Sequence, residues 1–151
     1  MPLRLLLGLL LLAIAASAHA AAPEQWEAVS ETAMAITGNV RFLPDRITFR
    51  NGKSLPLAPA GDIQAFGTPK ETVSATLYRV RKPGDPVLLN GNRLCGGKGR
   101  QRVTFIAVWK PAPVGNDIAP RGMAAFSGSA RLTVAGGSDF CGTYYYQTGH
   151  H

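Results

Sequence analysis

The chain has 151 residues, one domain's length, enough to bury a sizeable core once any leader is gone. Lysine and arginine number 16 against 9 aspartates and glutamates, a surplus that draws anionic partners at long range or serves solubility alone. Its three histidines are His19, His150 and His151. Unless the tail folds back, the body has no imidazole, which excludes His-activated Ser or Cys nucleophiles and His-built zinc sites.

Export is the firmest reading. Arg4 precedes an apolar run from Leu5 to Ala16, and Ala18-His19-Ala20 follows with small residues at the two positions a signal peptidase must accommodate. The run is roughly 12 residues where a bilayer-crossing helix needs about 20, so no transmembrane anchor is expected in the mature form. Residues 1–20 read as a cleavable signal and residues 21–151 as a single β domain. No cysteine lies near the exit to carry a lipid. The expected product is soluble, periplasmic or secreted; loss of Arg4 leaves 15 basic residues against 9 acidic ones.

From Trp26 onward the dominant period is two, that of a half-buried strand. Trp26, Ala28, Met34 and Ile36 alternate with Glu27 and Glu31, which favours a strand there, with a short helix from near Pro23 as the alternative. Arg46–Arg50 puts Ile47 and Phe49 on one face and runs into Asn51-Gly52, a hairpin signal that predicts a returning strand over Ser54–Ala58. Thr72–Arg81 predicts another strand, stopped by Lys82-Pro83-Gly84. Val87–Leu89 leads to a second hairpin-type turn at Asn90-Gly91.

Val103–Lys110 is apolar on both faces and reads as the most buried strand. Pro111, Pro113 and Pro120 exclude regular pairing in the loop beyond it, and Met123–Leu132 and Gly142–Gln147 complete the set. The pattern is all-β: a small antiparallel barrel or sandwich of about seven to eight strands.

Cys95 and Cys141 form an even pair in a domain read as exported, and so predict one disulfide. The segment from Gly91 to Arg102 looks superficially like a phosphate loop. Lys98 stands one place too late, Gly99 replaces the magnesium-binding Ser or Thr, and no helix follows. What survives is a glycine-rich loop carrying Arg93, Lys98, Arg100 and Arg102, readable as an anion-binding nest or as a solvated hairpin tip. Tyr144 and Tyr146 share a strand face and are candidates for contact with a sugar or base, or for packing with a hydroxyl at the rim. No two acids form a recognisable catalytic pair or calcium loop, and no cofactor or metal is expected.

Trp26, Ile36-Thr37-Gly38, Ile47-Thr48-Phe49 leading into Asn51-Gly52-Lys53, Leu88-Leu89-Asn90-Gly91-Asn92, Leu94-Cys95-Gly96 and Cys141-Gly142-Thr143-Tyr144 together resemble a family of small secreted bacterial proteins. The resemblance covers most of the mature chain and implies an envelope location without assigning an activity. The opening pattern is also similar to lipocalin-like small barrels, among them periplasmic enzyme inhibitors. The function expected is an exported non-enzymatic β-domain that binds an anionic surface, lipid or polysaccharide, or an envelope protein. Specific nucleic-acid binding is not expected. The alternatives are a barrel-type enzyme inhibitor and a hydrolase that works through two carboxylates alone.

Overall fold

The computed structural model describes residues 22–96, 101–116, 118–128 and 139–148. Eight strands follow one another around a closed barrel, each antiparallel to the next in sequence: β1 (Glu24–Ala28), β2 (Val40–Leu43), β3 (Arg46–Thr48), β4 (Ser54–Gly67), β5 (Thr72–Gly84), β6 (Val103–Trp109), β7 (Pro120–Phe126) and β8 (Phe140–Thr148). β8 returns to β1 and closes the cylinder, with Trp26 opposite Thr148 and Ala28 opposite Tyr146. Closure pairs the first and last strands, which would otherwise be open edges. Of the barrel and the sandwich, the chain therefore forms the barrel, and the all-β expectation holds.

Alternation along each strand fills the interior. Val40 and Phe42, Leu55 and Leu57, Tyr78 and Val80, and Tyr144 and Tyr146 all point inward and are buried. Their rings pack on one another: Trp26 stacks on Phe42 at 4.7 Å, with Tyr78 edge-on to Phe42 and Tyr146 tilted against Trp26. The Asn51-Gly52 turn joins β3 to β4 as expected. Gly52 sits at φ +84°, and the Asn51 side-chain oxygen accepts from the Lys53 amide, a local bond that favours Asn in turns.

Five expectations are corrected, the first being that β5 runs on through Lys82-Pro83-Gly84, with Gly84 still paired to Val103, where a stop was expected. The alternation from Trp26 sustains a strand only to Ala28; Met34 and Ile36 lie on a single π-helical turn, Ala33–Thr37, begun where the Ser30 carbonyl and hydroxyl take the amides of Met34 and Ala33. Asn90-Gly91 does adopt left-handed backbone at both residues, but it closes a 3-10 turn over Leu89–Gly91 with no strand on either side. The most buried strand is β7, not β6: residues 122–126 are all buried, because Gly122, Ala124 and Ala125 are small enough to be covered on both faces. Pro120 opens that strand, a position where a missing amide hydrogen is tolerated.

A second apolar cluster lies on the outside of the barrel. β4 and β5 extend as a long hairpin, with register shifts between Pro59 and Gly61 and between Ile63 and Phe66. Phe66 is fully buried against the outward faces of β6 and β7, between Trp109 and Phe126. Its seat is floored by Ala107 and Ala124. At neighbouring Gly122 a Cβ would collide with the Trp109 indole.

Candidate functional site

One end of the barrel is closed by its own chain. After β5, residues 85–96 fold back under the strands and bury Leu88 and Leu94. The Asp85 carboxylate accepts from the amides of Leu94 and Cys95 at 2.8 and 2.9 Å. Burial pushes its pKa up by more than those two amides and Arg93 pull it down. Cys95 is joined to Cys141 at the start of β8, Cα to Cα 4.5 Å, so the expected disulfide pins this plug to the wall.

The other end is open. A cavity of about 600 Å³ is floored by Trp26, Phe42, Tyr78 and Val108 and bounded on one side by Asp62, Gln64, Ser74 and Thr76 of the long hairpin. Both signs of charge stand at its rim. Glu24 accepts from the Trp26 indole at 2.7 Å and pairs with Arg121 at 3.0 Å. Burial raises the Glu24 pKa, but the bonds from Trp26 and Arg121 and the attraction of Arg121 and Lys110 outweigh it and hold the carboxyl below its usual range. Asp62 accepts from the Thr76 hydroxyl. Burial, then the charges of Asp62 and Glu24, pushes the Tyr78 phenol up and keeps it protonated. Lys110 is exposed and belongs to no ion pair among the described residues.

The residues singled out from sequence fall elsewhere. Tyr144 and Tyr146 do share a face, but it is the interior. They are 2 % and 0 % exposed, and their hydroxyls are engaged with the Leu94 carbonyl and the Thr37 hydroxyl. Burial raises the pKa of both phenols strongly. Both rings are core packing, and their hydroxyls end inside the barrel and not at its rim as the packing alternative had it. In the basic loop, Arg93 donates to the Asp85 carbonyl and Arg102 is exposed, both at the plugged end. Lys98 and Arg100 lie outside the described residues.

Sequence reasoning missed the mouth because its parts are dispersed: Glu24 and Arg121 are 97 residues apart. Only Trp26 stood out beforehand, and as a strand residue. The two carboxylates of the cup, Glu24 and Asp62, are the nearest approach to a hydrolase. That chemistry needs one carboxyl held protonated as an acid. Glu24 is held the other way, and the carboxyl that burial does raise, Asp85, is in the plug at the opposite end. Among the described residues no group of three or more His, Cys, Asp or Glu is placed to hold a metal, and no helix is long and apolar enough to cross a membrane.

Fold and site together define an eight-stranded up-and-down β-barrel, plugged at one end and cupped at the other. No family model, curated protein or solved structure matches the chain.

Proposed function

We propose that this chain is an exported, non-enzymatic binding domain that takes an amphiphilic, anionic ligand in the mouth of its barrel. The observation that carries the reading is the cup: a cavity within the size range of small-molecule sites, apolar and aromatic at the bottom and charged at the rim. A ligand with a ring or short chain would reach Trp26, Phe42 and Val108, and its negative head would meet Lys110 at the rim. The basic surplus of the whole chain favours the approach of such a ligand. Export is supported by the leader pattern of residues 1–20, and the disulfide is compatible with an oxidising compartment.

The test uses the processed domain and two probes, anilinonaphthalene sulfonate and dodecanoate. The sulfonate should bind saturably, with fluorescence enhancement, and dodecanoate should displace it. Ser74→Trp places a bulky ring at an exposed position of the cup and should abolish binding with the fold retained. Lys110→Gln should weaken it several-fold. Non-saturable fluorescence, or binding untouched by Ser74→Trp, would remove the cup from consideration.

A further inference from the structure

We propose a second site, on the side of the barrel: the outer wall of β2–β5 docks onto an anionic phospholipid bilayer. The wall follows from strand alternation. Val40 and Phe42, Ile47, Leu55 and Leu57, and Tyr78 and Val80 face the core, so the residues between them face out. Four of those outward residues are arginines, Arg41, Arg46, Arg79 and Arg81, and all four are exposed. The pairing brings them into one field. Arg41 lies opposite Thr48 and Arg46 opposite Pro56, while Arg79 lies opposite Ala58 and two residues from Arg81.

None of the four belongs to an ion pair among the described residues; the ion pair found there is Glu24 with Arg121 at the mouth. Arg81 makes one long contact, 3.5 Å, to the Asp45 carbonyl. Two acids border the field. Asp45 lies in the turn between β2 and β3, and Glu27 on β1 accepts from the Gln147 side chain. The charge balance of the wall is therefore strongly positive, and among the described residues no carboxylate pairs with any of the four arginines.

Shape selects the partner. The floor between the arginines is made of the short side chains of Thr48, Ser54, Pro56 and Ala58 with the half-buried Leu43 beside Arg46, so the longer guanidinium groups stand above it. The field spans four adjacent strands, so its cations form a two-dimensional array and not a single track. A single polyanionic strand is held best by a groove that tracks it. A two-dimensional field of fixed cations matches a two-dimensional field of phosphates, and a guanidinium can grip a phosphate through two parallel N–H bonds. The exposed large apolar side chains, Val29, Met34, Val87, Val114 and Ile118, all lie off these strands. Adsorption is therefore electrostatic, at headgroup level and without insertion. The barrel would lie on its side with its mouth uncovered. The reading of an exported binding domain enters only in saying where such a bilayer is met.

Flotation of the processed, disulfide-bonded domain with vesicles decides the matter. Binding is expected to equal parts of phosphatidylglycerol and phosphatidylcholine and not to phosphatidylcholine alone, and to fade as salt shortens the screening length. Each basic residue near an anionic surface contributes on the order of five-fold in partition. Arg41→Gln, Arg46→Gln, Arg79→Gln and Arg81→Gln combined should therefore cost on the order of a hundred-fold or more. A control with the same charge loss, Arg93, Lys98, Arg100 and Arg102 all to Gln, should stay within about ten-fold of the parent on the same scale. If the quadruple wall variant does not fold, the pair Arg46→Gln and Arg81→Gln gives the same comparison at smaller amplitude. Equal losses in wall and control variants, or binding to a sulfated polysaccharide in place of the vesicles, would overturn the proposal. Because the cup is assayed with soluble probes, failure here leaves the mouth reading standing, and the reverse holds too.

Discussion

Thr37 and Tyr146 meet inside the barrel, hydroxyl to hydroxyl at 2.8 Å, and both residues are wholly buried. The Thr37 oxygen also lies 3.1 and 3.0 Å from the carbonyls of Ala33 and Gly38, so one hydroxyl anchors the π-helical turn to β8. Thr37→Val keeps the shape and removes the hydroxyl, leaving the Tyr146 phenol without its partner in the core. Urea denaturation should register a loss of about 1–3 kcal/mol. Adding Tyr146→Phe should recover part of that loss, since removing both partners strands no polar group. A double variant less stable than the sum of the two singles would exclude a pairwise bond. The sequence could place Tyr144 and Tyr146 on one face by parity. It could not say which side of the sheet was the inside, because the barrel's outer face is also apolar here, with Phe105, Trp109 and Phe126 on it.

At the scale of elements, the long β4–β5 hairpin is where structure departs furthest from pattern. Only Ser54–Ala58 of β4 was legible. Beyond it Pro59, Gly61 and two register shifts erase the alternation, although pairing continues to Gly67. β2 is four residues long, too short to assert a period of its own. What holds the hairpin down is Phe66 in its trough, a contact made across the outside of the barrel and invisible to local pattern. The seat also has a cost. Trp109 Nε1 is buried there without a partner among the described residues, and an unsatisfied group opposes closure by about 1–3 kcal/mol. The hairpin's outer half is therefore expected to open before the barrel does. Phe66→Ala should raise amide hydrogen exchange across residues 61–75 while β6 to β8 keep their protection. It should also loosen the cup, which takes Asp62, Gln64, Ser74 and Thr76 from the same hairpin. Unchanged exchange in that segment would show that Phe66 is not its anchor.

The whole molecule is a cylinder plugged at one end and open at the other, and the cysteines belong to the plugged end. Their pairing was legible because two cysteines in a domain read as exported leave a single connectivity. That the bond ties the segment after Asn90-Gly91 to the last strand was legible too; that this segment is a plug and not a hairpin arm was not, since Asn90-Gly91 looks like a hairpin turn. The plug's own Leu88 and Leu94 are buried in the barrel core, and its Asp85 carboxylate holds the Leu94 and Cys95 amides. From β8 the Tyr144 hydroxyl donates to the Leu94 carbonyl, and the disulfide adds the covalent tie. The bond spans a separation of 46 residues, for which the chain-entropy estimate is on the order of 4 kcal/mol. Cys95→Ala with Cys141→Ala should therefore lower the unfolding free energy by about 2–4 kcal/mol. Such a loss need not be shared evenly. Barrel closure rests on eight paired strands, whereas the plug holds a 3-10 turn and two buried leucines. Hydrogen exchange should rise first over residues 85–96, with β4 to β7 still protected. The mouth, at the far end, should keep its affinity for anilinonaphthalene sulfonate. Loss of the cup together with the plug would mean that the two ends are coupled through the aromatic stack of Tyr146, Trp26 and Phe42, and that the cylinder opens as one unit.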